Sequence, residues 1–456
     1  MASMPKPAAE SQGPHASSPD ALLVRALGVR ELAAAIFNYT VGSGIFALPA
    51  IAVAQLDGAA PLAYIACAIV MACVVLCFAE AGSRVSLTGG AYVYVELALG
   101  PLFGFIAGVM LLVTGLTAGA AVTVVLAESV SAFFTTRPAW LPAALMVSVV
   151  AALAWINVRG VRGSARTVEV VTVAKLLPLL FFVLVGAAFV KPAHFAWSAV
   201  PHVSRVLGTA GIVIFAFSGI ESALTPSGEV RAPARTVPRA SFLALLAATG
   251  LYLAVQWVAL GIRGQALAQS GVTPLADAAR AFAGTAGRSL MLAGASVSML
   301  GYLSGNLLAV PRSLFAFARD GFLPRGLSSV HARYRTPHVA IVTYALLILA
   351  LALSGTFQKL AVFSNLTAFV LYILSAIGVW ELRRRDVRTA GEPFLVPGGP
   401  VIPVAAVVLT LGLMIETAGT RDIVGLALMA LAATALYAVR AYRRRSQAAS
   451  PPLESR

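Results

Sequence analysis

The sequence predicts an all-α integral membrane protein of about twelve transmembrane helices, and three observations lead there. Hydrophobic residues make up 59% of the 456 positions and charged residues only 11%, about half the charge of a typical soluble chain. The apolar residues gather into stretches that mostly reach the roughly 20 residues needed to cross a bilayer core. The basic residues between those stretches are uneven. On an inside-first reading they divide about three to one between alternate sides. That asymmetry puts both termini in the cytoplasm and explains the net charge of +15 without nucleic acid as a partner.

In chain order, residues 1–22 are a solvated tail rich in Ala, Ser and Pro, without the apolar run of a signal peptide. Residues 23–446 form one membrane domain. Its apolar stretches fall at 32–56, 61–79, 99–127, 141–158, 168–190, 206–226, 240–262, 289–310, 338–354, 360–380, 401–418 and 423–439. The division into spans is least defined near 338–380. A second polar tail covers 447–456.

Two stretches are interrupted at matching places. The first carries Thr40-Val41-Gly42-Ser43-Gly44-Ile45-Phe46, and the second carries Phe215-Ala216-Phe217-Ser218-Gly219-Ile220-Glu221. A helix unwound in lipid leaves backbone groups unsatisfied unless they face a cavity or a ligand, and glycine makes unwinding sterically easy. Paired interruptions in corresponding halves therefore point to a transporter's substrate site. Close helix–helix approach through small residues is the alternative reading.

Other chemistries find little footing. Cys67, Cys73 and Cys77 all lie in the second stretch with no histidine beside them, and His15, His194, His202, His331 and His338 lie outside the deep spans. That excludes a metal or haem set, and no cofactor is expected. Neither a phosphate-binding loop nor a nucleophile elbow occurs, so the chain is not read as an enzyme.

Three connections on the basic side are patterned. They hold Glu80 and Arg84 before Thr88-Gly89-Gly90-Ala91-Tyr92, then Glu229-Val230-Arg231 with Pro233, Arg235 and Pro238, then Ala318-Arg319-Asp320-Gly321 with Pro324. Ion pairs among these acids and arginines could tie helix ends together. With the two interruptions, these segments resemble the amino acid–polyamine–organocation family of permeases over residues 31–337. The resemblance implies a LeuT-like fold, with inverted repeats at roughly 31–190 and 206–380 and two extra helices at 401–439. It also implies secondary transport of amino acids by alternating access.

Half-helix N-termini suit a carboxylate and freed carbonyls suit an ammonium group. Carried over from the family, Ser43 and Gly44 would hold the substrate carboxylate, and Gly42 would permit the unwinding. The carbonyls of Thr40, Phe215 and Ser218 would hold the α-amino group, and the Phe215 ring would act as a lid. Asn306, in Gly301-Tyr302-Leu303-Ser304-Gly305-Asn306, falls where relatives place a side-chain pocket residue; an interhelical hydrogen bond is its other reading. The scarcity of acids and bases within spans favours a neutral substrate.

Lys175 lies about two turns into the fifth stretch, where an unpartnered lysine costs on the order of 3 kcal/mol. In sodium-independent relatives a lysine here fills the sodium position. The resemblance thus implies that Lys175 replaces the ion, unless it only snorkels to the surface. Transport is then expected to be proton-coupled or sodium-independent, since burial of a lysine makes a proton role physically possible. Glu221 is either a proton acceptor or a structural acid. An amino acid–polyamine exchanger and a non-transporting amino acid sensor are the competing functions. The first expects an added acid in the pocket, the second a signalling domain.

Overall fold

The structure, a computed structural model, describes residues 28–85, 91–134, 136–160, 165–197, 199–219, 230–388 and 392–449. Fifteen α-helices account for nearly all of it, and no β-sheet occurs among the described residues. In order they are α1 (Val29–Thr40), α2 (Gly44–Leu56), α3 (Pro61–Arg84), α4 (Ala91–Leu99), α5 (Pro101–Ser131), α6 (Leu141–Arg159), α7 (Ala165–Gly186) and α8 (Val203–Val213). There follow α9 (Pro233–Arg263), α10 (Pro274–Ala309), α11 (Pro311–Arg319), α12 (His338–Ser354), α13 (Phe357–Arg384), α14 (Val401–Thr417) and α15 (Thr420–Ala449).

Proline opens α3, α5, α9, α10 and α11, at the first turn, where its missing N–H costs no helical bond. The region 338–380 resolves into two helices, α12 and α13. They part at Gly355, and the Thr356 hydroxyl accepts from the Lys359 N–H to start α13. Among the described residues seven helices are long and apolar enough to cross a membrane, or eight where the bent pair α1–α2 is counted as one span. Shorter apolar helices at Ala174–Phe189, Val203–Phe217, His338–Ser354 and Val401–Thr417 fall where the remaining stretches lie. The chain is a multi-pass membrane protein.

The core forms where α5 packs on α13, α3 on α9, α7 on α10 and α1 on α9. Burial grades outward from there. In the most apolar part of α5 and of α13, 67% of residues are buried inside the protein, against 11% for α15. The last helix is therefore peripheral and turns most of its surface to lipid.

At the basic end of α3, the Glu80 carboxylate is fully buried. It pairs with Arg84 at 2.9 Å and accepts from Arg383 of α13 at 2.7 Å and from the Val396 N–H at 3.0 Å. The Phe394 N–H donates to the Ser83 hydroxyl beside it. Glu80 thus joins α3, α13 and the segment before α14. Among the described residues Asp320 makes only an exposed pair, with adjacent Arg319, and Glu229 lies outside the described residues.

Candidate functional site

The first interruption is a true break. α1 ends at Thr40, α2 starts at Gly44, and their axes bend by 53°. The Gly42 N–H turns back to the Thr40 carbonyl at 2.9 Å, and Phe46 and Ala47 donate to the Ser43 carbonyl. The first N–H groups of a helix have no acceptor within it, so α2 directs donors into the break. The second break begins where α8 tightens into a 3₁₀ turn over Ile214–Phe217. Ser218 is then extended and Gly219 sits at φ +114°, a conformation open to glycine. Glu221 and the rest of that connection lie outside the described residues.

The breaks touch. A Cβ on Gly44 would come within 2.6 Å of the Ala216 Cα, so glycine is required there by close approach as well as by unwinding. Beside this contact lies a cavity of about 280 Å³, its open mouth included, lined by Tyr39, Thr40, Gly42, Ser43, Gly44, Ala118, Val122, Phe215, Ser218 and Tyr302. No charged side chain is in that lining. The Ser43 hydroxyl is buried with no hydrogen-bond partner among the described residues, which leaves a polar group for a ligand to satisfy.

Of the residues singled out in the sequence, Thr40, Gly42, Ser43, Gly44, Phe215 and Ser218 come together at this cavity. The Phe215 ring meets Phe357 of α13 edge-on at 5.7 Å. The Thr40 carbonyl already receives the Gly42 N–H and the Tyr252 hydroxyl. Asn306 is not in the lining. Its amide donates to the Gly115 carbonyl of α5 at 3.0 Å and accepts from the Tyr344 hydroxyl of α12 at 2.8 Å, the interhelical role. Tyr302, one turn earlier on the same face of α10, lines the cavity instead.

Lys175 is buried at 4% exposure, and its ammonium donates to the carbonyls of Asn38 at 2.5 Å and Val41 at 2.8 Å. It does not snorkel. A cation rests on carbonyls freed by the first break, with no ion-pair partner among the described residues. Tyr252 of α9 escaped the sequence reading. Its buried hydroxyl lies 2.8 Å from the Thr40 carbonyl and 2.7 Å from the Ala216 carbonyl, so one proton is shared between the two breaks. The only signal in the sequence was a phenol within an apolar span, which must find an acceptor.

A broken span beside a second helix that tightens and unwinds, around a small cavity with no charged side chain in its lining, fits a membrane carrier. A profile of the amino acid permease family matches residues 27–434, and the chain belongs to that family. It is 31% identical to an uncharacterized transporter of Mycobacterium tuberculosis over 88% of this chain and 92% of that one. It is 26% identical to the branched-chain amino acid permease BcaP of Bacillus subtilis, covering 88% and 90% of the two chains. It is 27% identical to the serine/threonine exchanger SteT of the same organism, covering 84% and 89%.

Proposed function

We propose that this permease is a secondary active transporter that moves neutral amino acids across the cytoplasmic membrane by alternating access. The observation that carries this reading is the cavity where the two breaks meet, with α2 donors and the orphaned Ser43 hydroxyl on one side and freed carbonyls on the other. Ser43 and Gly44 take the carboxylate. The Phe215 and Ser218 carbonyls take the ammonium group, Thr40 being already committed to Tyr252. Phe215 closes over the substrate, while Ala118, Val122 and Tyr302 bound its side chain. A lining without charge favours a neutral substrate, as do relatives named for branched-chain amino acids and for serine and threonine.

In this reading the chain spans the membrane twelve times with both termini cytoplasmic. Repeats at roughly 31–190 and 206–380 are followed by two extra helices at 401–439, and the tails are 1–22 and 447–456. Transport is proton-coupled or sodium-independent, a reading supported by the Lys175 ammonium resting on the carbonyls of the first break. Glu221 keeps both of its roles open, proton acceptor or structural acid.

The test is uptake of labelled amino acids into proteoliposomes, with and without a proton gradient and with and without sodium. Concentrative uptake of neutral amino acids in sodium-free buffer is expected. No uptake of any amino acid would overturn the reading. Uptake only against an internal amino acid would assign obligatory exchange, the mode named in SteT.

A further inference from the structure

We infer that Asn365 is the positioning residue of the second break, the counterpart of Lys175 at the first. Asn365 lies on α13 with no exposed surface. Its amide nitrogen donates to the carbonyls of Gly211 at 2.9 Å and Ile212 at 3.2 Å. Those carbonyls belong to the last turn of α8, directly before the 3₁₀ segment Ile214–Phe217. Where an α-helix tightens to 3₁₀, the donor register shifts from i−4 to i−3, and carbonyls at the junction lose their helical partners. In an apolar interior such carbonyls need a donor from outside the helix. Asn365 supplies two N–H groups at that place.

The parallel with the first break is close. Lys175 donates to the carbonyls of Asn38 and Val41 at the end of α1. In the two-repeat arrangement proposed above, on which this inference rests for its symmetry, α7 and α13 are the fifth members of their repeats and α1 and α8 begin them. Each fifth helix thus sends a multi-proton donor to carbonyls at the break of its own repeat. The donors differ in kind, a cation at the first break and a neutral amide at the second.

Two further observations separate this role from ordinary interhelical packing. The amide is oriented by its acceptors, since two carbonyls demand the nitrogen, while its oxygen is buried with no partner among the described residues. A residue placed only to join helices would use both ends, as Asn306 does with Gly115 and Tyr344. Second, α13 also carries Phe357, whose ring meets the Phe215 ring of the same break. Any displacement of α13 therefore reaches the carbonyls before the break and the aromatic side chain within it.

The experiment compares amide hydrogen exchange in the purified full-length wild type, Asn365→Leu and Lys175→Met, followed by kinetics in proteoliposomes. Leucine has the branched outline of asparagine with more bulk, and it carries no donor. In Asn365→Leu, exchange across residues 211–219 should rise about fivefold, the effect of one lost hydrogen bond, with residues 36–44 unchanged. Lys175→Met should show the reverse pattern. Apparent KM for the transported amino acid should rise several-fold in Asn365→Leu. Wild-type exchange at 211–219, or an equal rise at both breaks, would overturn the inference. Should Asn365→Leu not yield a monodisperse protein, Asn365→Ala removes the same donors without added bulk and faces the same two outcomes. The exchange readout needs no substrate. A wild type that moves no amino acid would thus overturn the transport reading and leave this test standing.

Discussion

Among the charges buried in this molecule, Glu80 and Lys175 have surroundings that differ in a way that separates structure from action. Glu80, at the basic end of α3, sits among two guanidinium groups and a backbone N–H, every partner a donor of matching sign. Lys175, beside the first break, rests on two backbone carbonyls and no carboxylate among the described residues. The carboxylate is compensated charge for charge, so nothing is gained by changing its state. The ammonium is compensated only by dipoles among the described residues, and a change in its protonation or position would weaken its hold on those carbonyls. A buried charge with a full set of counter-charges reads as a fixed joint. One held by dipoles at a helix break reads as a moving part.

The most damaging way to break that comparison is at the joint. Glu80→Gln leaves Arg84 and Arg383 facing an amide that cannot balance them. Removing one partner of a buried ion pair costs about 3–5 kcal/mol. The variant should lose much of its thermal stability in detergent, read as a fall in melting temperature on size-exclusion chromatography, whether or not substrate is present. A Glu80→Gln protein with wild-type stability would show that the joint is ornamental.

Next comes the contact between the breaks. Gly44→Val places a branched side chain where even a Cβ would sit 2.6 Å from the Ala216 backbone. Amino acid binding should be abolished in a protein that still inserts and purifies, measured by scintillation proximity or by ligand-induced thermal shift. Retained binding by a monodisperse variant would remove the first break from the site. Such a side chain would also intrude where the substrate carboxylate is proposed to sit. The structure adds a direct clash with the second break, so Gly44→Ala should already be severely impaired.

The moving part is tested at Lys175. Wild-type uptake should be equal in sodium-free and sodium-containing buffer, and Lys175→Ala should lose concentrative uptake or its dependence on a proton gradient while keeping some exchange. The two carbonyls lose their donor, yet no counter-charge is stranded, so the stability loss should be smaller than in Glu80→Gln. Strict sodium dependence in the wild type would sink the idea that the ammonium stands where an ion would.

The fold was legible because hydropathy reports on lipid, and every apolar stretch from 32–56 to 423–439 met a helix in the structure. The breaks were legible because Gly42, Ser43, Gly44 and Gly219 are local signals. What escaped was long-range. Glu80 was noticed as an acid among arginines, but its partner Arg383 lies 303 residues away. Of the two readings left open for Asn306, the structure shows the interhelical hydrogen bond, and Tyr302, one turn nearer the break, lines the cavity. Asn365 and Tyr252 carry no local mark, because an asparagine or a phenol within a span shows only that some acceptor exists, and tertiary packing chooses it.

Tyr252 gives the subtlest test of the comparison, because it ties the breaks together without any charge. Its hydroxyl has one proton and two carbonyl neighbours, Thr40 at 2.8 Å and Ala216 at 2.7 Å, one from each break. Its ring also meets Phe217 edge-on at 5.0 Å, so the side chain is held by packing whether or not the hydroxyl is present. Tyr252→Phe therefore removes the bridge and little else. A net hydrogen bond is worth about 1 kcal/mol, roughly a fivefold change in an equilibrium constant. Apparent affinity for the transported amino acid should weaken by about that factor, with melting temperature and sodium independence unchanged. If the breaks move as separate parts, the variant should match wild type in affinity and exchange rate. If Tyr252 couples them, its loss should combine non-additively with Lys175→Ala, because both residues act on the carbonyls between Asn38 and Val41.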